Sequence, residues 1–261
     1  MSDFGAQRLT GRVAFVSGGL RGIGLACVER FLAEGAEVVL SDLDASDSSV
    51  ATEVMARLGQ AASYVQANAT LEADWQRARD LVQDRHGKLH ILVNNAGTSK
   101  RGKFLELQDE EWAADLELKV FGAIRCTRLA IPYMKKQGGG RVINITISGA
   151  KQPAAESYPT SISRAAGLAI TKALSKEFAP DNILVNTICI GKIKSGQHER
   201  RFTKDGISAD DYYGKMSKDI PMKRVGEAQE VANVITFLAS NAASYVTGTS
   251  INLDGGISGV L

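Results

Sequence analysis

Residues 17–24 read Ser-Gly-Gly-Leu-Arg-Gly-Ile-Gly, and the reading of this stretch decides the fold. It follows an apolar, β-rich run from Arg12 to Ser17 and precedes a helical stretch from Ile23 to Glu34 that Gly35 ends. Strand, glycine turn and helix in this order suit a dinucleotide. Residues without Cβ let the backbone approach a pyrophosphate, and the amides at the helix N-terminus meet its charge. A tight connection is the plainer reading of the glycines alone. Asp42 stands at the end of a second strand over Val38 to Ser41. A carboxylate there accepts hydrogen bonds from both hydroxyls of an adenosine ribose and repels a 2′-phosphate. Its plainer reading is a cap on the following turn.

Outward from the turn the pattern repeats in kind. Val50 to Leu58 reads as helix, Ser63 to Gln66 as strand, Glu72 to Arg85 as a helix closed by Gly87, and Leu89 to Val93 as strand. Helix follows over Asp109 to Gln137, strand over Arg141 to Ile147, helix over Ser161 to Phe178 and strand over Ile183 to Ile188. A last helix, Ala228 to Ala239, precedes a strand from Ser250 to Leu253. Apolar strands alternating with amphipathic helices indicate a parallel sheet covered on both faces. The fold class is α/β, a doubly wound seven-stranded sheet of Rossmann type. No Pro/Ser linker or shift in composition divides the chain, so residues 1–261 read as one domain.

Composition narrows the partners. The chain carries 31 basic and 29 acidic side chains, a formal net charge of +2, which supports neither a nucleic-acid footprint nor an acidic solvating tail. Its 26 glycines against 5 prolines point to several tight turns or close backbone approaches. Cys27, Cys126 and Cys189 are far apart and odd in number, so neither a disulfide framework nor a metal site is indicated. Met1 to Thr10 lacks a basic stretch followed by an apolar one, and no apolar run approaches about 18 residues. A soluble cytoplasmic protein with no membrane partner is expected.

With these segments in place, the chain from Gly11 to Gly256 resembles the short-chain dehydrogenase/reductase family. The three-residue gap between Gly18 and Gly22, closing with Ile23-Gly24, is that family's version of the glycine turn. Asn94-Asn95-Ala96-Gly97 matches its second signature. Asn186 with Gly191, Ile193 and Ser195 resembles its nicotinamide-side segment, with Ile190 where proline is usual. Arg224 with Gly226, the Phe237-Leu238-Ala239-Ser240 run, Gly248 and Asp254-Gly255-Gly256 match its C-terminal end.

The resemblance implies a cofactor site. Gly18, Arg21, Gly22 and Ile23 would line the phosphates, Asp42 would hold the adenosine ribose, and Asn68 with Ala69 would flank the adenine. Asn95, Ala96 and Gly97 would pass under the nicotinamide ribose, with Gly191, Ile193 and Ser195 on the carboxamide side. In members without the acid, a basic residue at Arg21 favours NADP; beside Asp42 it is expected to face the phosphates, so NAD is preferred. His90 stands where an aspartate usually supports the adenine pocket, so adenine geometry is expected to differ slightly.

The four catalytic positions all depart from the family. A tyrosine normally moves the hydroxyl proton, a lysine four residues on lowers its pKa, a serine polarises the carbonyl and an asparagine supports a proton relay. The register set by Ser163-Arg164-Ala165-Ala166 puts Arg164 at the lysine and Thr160 at the tyrosine position, with Ile147 for the serine and Lys119 for the asparagine. Arg164 can still hydrogen-bond the nicotinamide ribose, although its fixed proton excludes a relay. An alkyl hydroxyl has no accessible pKa for general acid work, whereas a phenol near 10 can be pulled toward neutrality by cations. Tyr158 is a candidate acid if the Lys151 to Pro159 loop is rebuilt, with Lys119 or Arg164 lowering its pKa; otherwise it is a loop aromatic at the helix entry. Ser148 takes over from Ile147 if the strand end slips by one residue; otherwise it is a turn serine. Lys119, on an apolar helix face, acts as an amine of lowered pKa if buried, pairs with an acidic substrate, or snorkels to solvent.

Between Lys192 and Lys204 the chain is rich in Lys, Arg and His, with the single acid Glu199. The resemblance makes the stretch near 192–220 a substrate-covering loop. A basic lid attracts a carboxylate or phosphate, or is simply solvated. The resemblance implies an oxidoreductase moving hydride between NAD(H) and an alcohol or carbonyl of a small molecule. The four substitutions keep open a redox-inactive NAD-binding relative with a lyase- or isomerase-like or regulatory role. A homotetramer, through helices 109–137 and 161–178, is the family's usual assembly.

Overall fold

The first strand, β1 (Val13–Ser17), is apolar on both sides of its pleat: Ala14 and Val16 enter one buried cluster, Val13 and Phe15 the other. Only a strand covered on both faces needs that pattern. The computed structural model of the protein describes residues 7–261. Met1 to Ala6, in the segment read as leaderless, and the side chains of Gln197 and Arg200 in the basic segment lie outside the described residues.

Six further strands join β1: β2 (Glu37–Asp42), β3 (Ala62–Gln66), β4 (Ile91–Asn94), β5 (Gly140–Ile147), β6 (Ile183–Ile190) and β7 (Ser250–Leu253). All pairings are parallel, in the order β3-β2-β1-β4-β5-β6-β7. The sequence order reverses between β1 and β4, which opens a crevice beyond the strand ends. Helices α1 (Gly22–Ala33), α2 (Ser49–Leu58) and α9 (Ala228–Ala239) supply apolar residues to one face. Helices α3 (Glu72–His86) and α5 (Gly122–Lys136) supply Trp75, Ala78, Val82, Ala130 and Met134 to the other, with Leu174 of α6 (Thr160–Phe178) packed against them. This is the expected doubly wound α/β sheet of Rossmann type. All three cysteines are buried and free. Among the described residues no helix is long and apolar enough to cross a membrane.

Two expectations change. The single helix read over 109–137 is interrupted: α4 (Asp109–Leu116) gives way to one π turn, Glu117–Phe121, before α5 begins at Gly122. A Cβ on Gly122 would lie 3.0 Å from the Ala69 carbonyl oxygen, so the chain is drawn close to the β3 end here, and Lys119 sits in the widened turn. The stretch expected as a covering loop contains two helices, α7 (Gly196–Lys204) and α8 (Ala209–Ser217). Their cohesion is aromatic: His198 and Phe202 stack against Tyr212 and Tyr213, and His198 Nδ1 lies 3.0 Å from the Tyr212 hydroxyl.

His90 is not among the residues lining the crevice. Its Nδ1 accepts the Val13 amide at 3.0 Å at the opposite end of β1, away from the crevice. Burial, then the charges of Arg12 and Lys88, push its ring down to about 4 from the ordinary 6.5. Between those values the unfolded chain holds a proton that the native ring lacks. Its contribution to stability is therefore fully present above pH 6.5 and lost as pH falls toward 4. Urea unfolding followed from pH 7 to pH 4 is expected to show this limb flattened in His90→Asn; an unchanged limb would count against it.

Candidate functional site

The crevice is a cleft of about 1260 Å³, and every residue that the resemblance assigns to a cofactor lines it. The glycine turn is held open from behind. Ser17 Oγ accepts the amides of Asn95 and Ala96 at 3.0 and 3.1 Å, and Asn95 Nδ2 donates to the carbonyls of Ser17 and Gly18, both at 3.0 Å. Gly18 and Gly22 adopt φ of +69° and +55°, and a Cβ on Gly24 would fall 1.9 Å from the Gly18 carbonyl oxygen. Arg21 precedes α1 without a side-chain cap on the helix.

At the adenosine end, Asp42 Oδ2 accepts the Leu20 amide at 3.1 Å and Oδ1 accepts the Leu43 amide at 2.9 Å. Each oxygen thus keeps a further acceptor position. The Arg21 guanidinium forms a two-pronged pair with Asp44 at 2.6 and 2.9 Å, which raises its pKa, while the residue still lines the cleft. The Tyr64 hydroxyl donates to the Asp44 carbonyl and steadies the pair. Asn68 is tied down by Asp74 Oδ2, which accepts its amide at 2.8 Å, and Trp75 Nε1 donates to the Ala69 carbonyl at 2.9 Å.

The opposite end of the cleft carries the substituted positions. Strand β5 runs in unbroken register to Ile147↔Ile190, so no slip occurs; Ile147 and Ser148 both line the cleft, Ser148 opening a 3-10 turn. Tyr158 is absent from the lining. Its ring packs against Phe104 and Trp112 at 5.8 Å from each, and its backbone pairs with Gly102 in a two-stranded ribbon. The Lys151 to Pro159 segment ends in that ribbon, which holds Tyr158 in the aromatic cluster outside the lining.

Lys119 does not snorkel: its side chain is fully buried. It pairs with Asp115 one helical turn earlier and donates to Thr160 Oγ1 at 2.7 Å. The other oxygen of Asp115 accepts from Ser163 Oγ at 2.6 Å. Arg164 donates to the Ile145 carbonyl at 2.5 Å, and a Cβ on Gly97 would lie 2.5 Å from its Nη2. Burial lowers Arg164 to about 10, opposed by Asp115. Burial, then the charge of Arg164, lowers Lys119 to about 8, against the hydrogen bond and charge of Asp115. A buried lysine and a half-buried arginine therefore share one carboxylate. Asp115 was not singled out from the sequence; the signal was an acid four residues before Lys119 on an otherwise apolar face. A cavity of about 30 Å³ lies behind this cluster, between Trp75, Asn94, Asn144 and Lys119.

The site suits a dinucleotide on its own evidence. The turn excludes side chains where a pyrophosphate would pass, Asp42 keeps free acceptor positions, and buried Arg164 Nε finds no acceptor among the described residues. Lys192, His198 and Arg201 bring the α7 segment over the same cleft.

Comparison with known proteins agrees. A family model described as enoyl-(acyl carrier protein) reductase matches residues 18–258. The chain is 33% identical over 254 residues to the 3-oxoacyl-(acyl-carrier-protein) reductase FabG of Thermotoga maritima, covering 96% of this chain and 99% of that one. It is 32% identical over 254 residues to the uncharacterized short-chain type dehydrogenase/reductase y4mP of Sinorhizobium fredii, covering 95% and 98%. The solved structure of Thermoplasma acidophilum aldohexose dehydrogenase superposes with a TM-score of 0.87 at 26% identity, covering 98% of each chain.

Proposed function

Because the chain belongs to the short-chain dehydrogenase/reductase family of oxidoreductases, we propose that it transfers hydride between NAD(H) and the alcohol or carbonyl of a small molecule. The observation that carries this reading is a single cleft with a dinucleotide-shaped turn at one end and a buried cluster of surplus positive charge at the other. Bound NADH would supply the hydride. The first turn of α1 would meet the pyrophosphate, Asp42 the adenosine ribose, Asn68 and Ala69 the adenine, and Arg164 the nicotinamide ribose. A carbonyl being reduced gathers negative charge on oxygen, and Arg164 on the cleft lining, with buried Lys119 behind it, stabilises that charge. The chain is read as one domain in which α7 and α8 cover the substrate, and as a cytoplasmic homotetramer; a monomeric mass by light scattering would count against that assembly.

The test pairs an NADH binding titration with NADH oxidation over a panel of β-keto esters, ketones and aldoses. Oxidation with at least one class is expected. Binding without any oxidation would sink the reading. The preference for NAD rests on Asp42 and on the neutralisation of Arg21 by Asp44. Asp42→Ala is expected to weaken NADH binding about tenfold, the worth of roughly one hydrogen bond to a charged group, and to narrow its advantage over NADPH. Unchanged discrimination would remove Asp42 from the ribose role.

A further inference from the structure

Resting on the hydride-transfer reading, we propose that Thr160 exchanges the proton with the substrate oxygen and that Lys119, buried behind it, stores that proton. A hydroxyl has two acceptor positions and one proton. Both acceptor positions of Thr160 Oγ1 are engaged, by Lys119 Nζ at 2.7 Å and by the Lys100 amide at 3.2 Å. None of its hydrogen bonds with the described residues uses its own proton, and Thr160 lines the cleft while only 3% exposed. A cation thus pushes on an O–H bond whose proton is left for a ligand. Tyr158, the phenol nearest in sequence, is held by Phe104 and Trp112 outside the lining.

Lys119 has two polar partners, Thr160 and Asp115, and both line the cleft. Its ammonium, fully buried itself, therefore communicates with the cleft through them. The charged groups around it are Asp115 from its own helix and Arg164 from α6; Thr160 and Ser163 are neutral, and the Lys100 ammonium is tied to Glu111. Burial and Arg164 together bring Lys119 down to about 8, within reach of a proton donor working near neutrality.

In the direction of reduction, the substrate carbonyl carbon gains the hydride with its electron pair from the nicotinamide, and the carbonyl π pair moves onto oxygen. That oxygen forms an O–H bond as the Thr160 O–H bond breaks. Thr160 Oγ1 takes a proton from Lys119 Nζ as an N–H bond breaks, leaving a neutral amine that solvent reprotonates by way of Asp115 at the cleft. Concerted transfer means that Thr160 never carries a full charge, so the high pKa of an alkyl hydroxyl is no obstacle.

The test uses the full chain with NADH and either ethyl acetoacetate or 2,3-butanedione. Thr160→Val is expected to lower kcat about 100-fold or more, with NADH affinity unchanged. Thr160→Ser is expected to stay within about tenfold of the parent. The reduction rate should fall as pH rises through about 8, and that fall should vanish in Lys119→Met. Independently of turnover, the Lys119 Nζ signal in nitrogen-15 spectra of the free protein should titrate near 8. It should also move in Thr160→Val. Retained turnover in Thr160→Val, loss of turnover in Tyr158→Phe alone, or a Lys119 titration above 10 overturns the relay and leaves the oxidoreductase reading standing. A parent protein that binds NADH and oxidises none overturns both.

Discussion

Gly24→Ala is expected to abolish measurable NADH binding and to lower the melting temperature sharply. The methyl would be placed 1.9 Å from the Gly18 carbonyl oxygen and 2.7 Å from Asn95 Nδ2. Neither neighbour can withdraw. The Gly18 carbonyl is fixed by Asn95 Nδ2 at 3.0 Å, and Asn95 is fixed in turn by Ser17. Relief would require α1 to lift from the sheet, although Cys27, Val28 and Phe31 on its buried face are fully enclosed. Overpacking of this kind costs about 3 kcal/mol or more. Gly214→Ala is the matched comparison: it lies inside α8 with nothing within 4 Å of its Cβ position. That change should be neutral or stabilise by up to about 1 kcal/mol. Calorimetry with an NADH titration on both variants distinguishes a steric lock from a general intolerance of change. A Gly24→Ala protein that melts and binds like its parent would show that the turn is not rigid.

That lock was legible in the chain because it is local. Glycine at 18, 22 and 24, an apolar strand before them and Asp42 after the next strand are all fixed by spacing, and the last helix and last strand fall where their periodicity puts them, Ala228–Ala239 and Ser250–Leu253. What failed to show was everything set by contacts distant in sequence. The partner of Arg21, Asp44, lies two residues past the end of β2 and is not marked by the glycine-turn spacing. The π turn at Glu117–Phe121 has no composition of its own, since hydrophobic period alone does not separate a helix from a helix with one wide turn. Helix α7 was hidden because Phe202 and Ile193 are almost the only large apolar residues near it, and its packing comes from Tyr212 and Tyr213 in the next helix. Tyr158 looked available because it is two residues from the expected position, yet a ribbon with Arg101–Gly102 turns it into an aromatic cluster. Chemistry at a substituted position has to be found by asking which groups the substitutions bring together, and here they bring together Lys119, Asp115, Thr160, Ser163 and Arg164.

Asp115→Asn is expected to be the most destabilising polar substitution in this cluster. It removes the carboxylate shared by Lys119 and Ser163 and lying closest in charge to Arg164. Breaking a buried pair by removing one partner typically costs about 3 to 5 kcal/mol, because the remaining charge stays buried without compensation. The pH dependence follows from Lys119. Its native value of about 8 lies below the ordinary 10.5, so between these values the unfolded chain holds a proton that the native side chain has released. Stability therefore rises with pH across that window. The penalty of burying the ammonium is complete below about pH 8 and relieved by pH 10.5, a swing of about 3 kcal/mol. Without Asp115 the native value falls further, so in Asp115→Asn the rise should begin at lower pH and be larger. Lys119→Met should erase it, and the double variant Asp115→Asn/Lys119→Met should be more stable at pH 7 than Asp115→Asn alone, since one uncompensated cation has gone. Urea unfolding of the four proteins from pH 6 to pH 10 measures all of this. A double variant no more stable than the single one would mean that burying Lys119 without Asp115 carries no electrostatic cost, and the charge cluster would lose its premise.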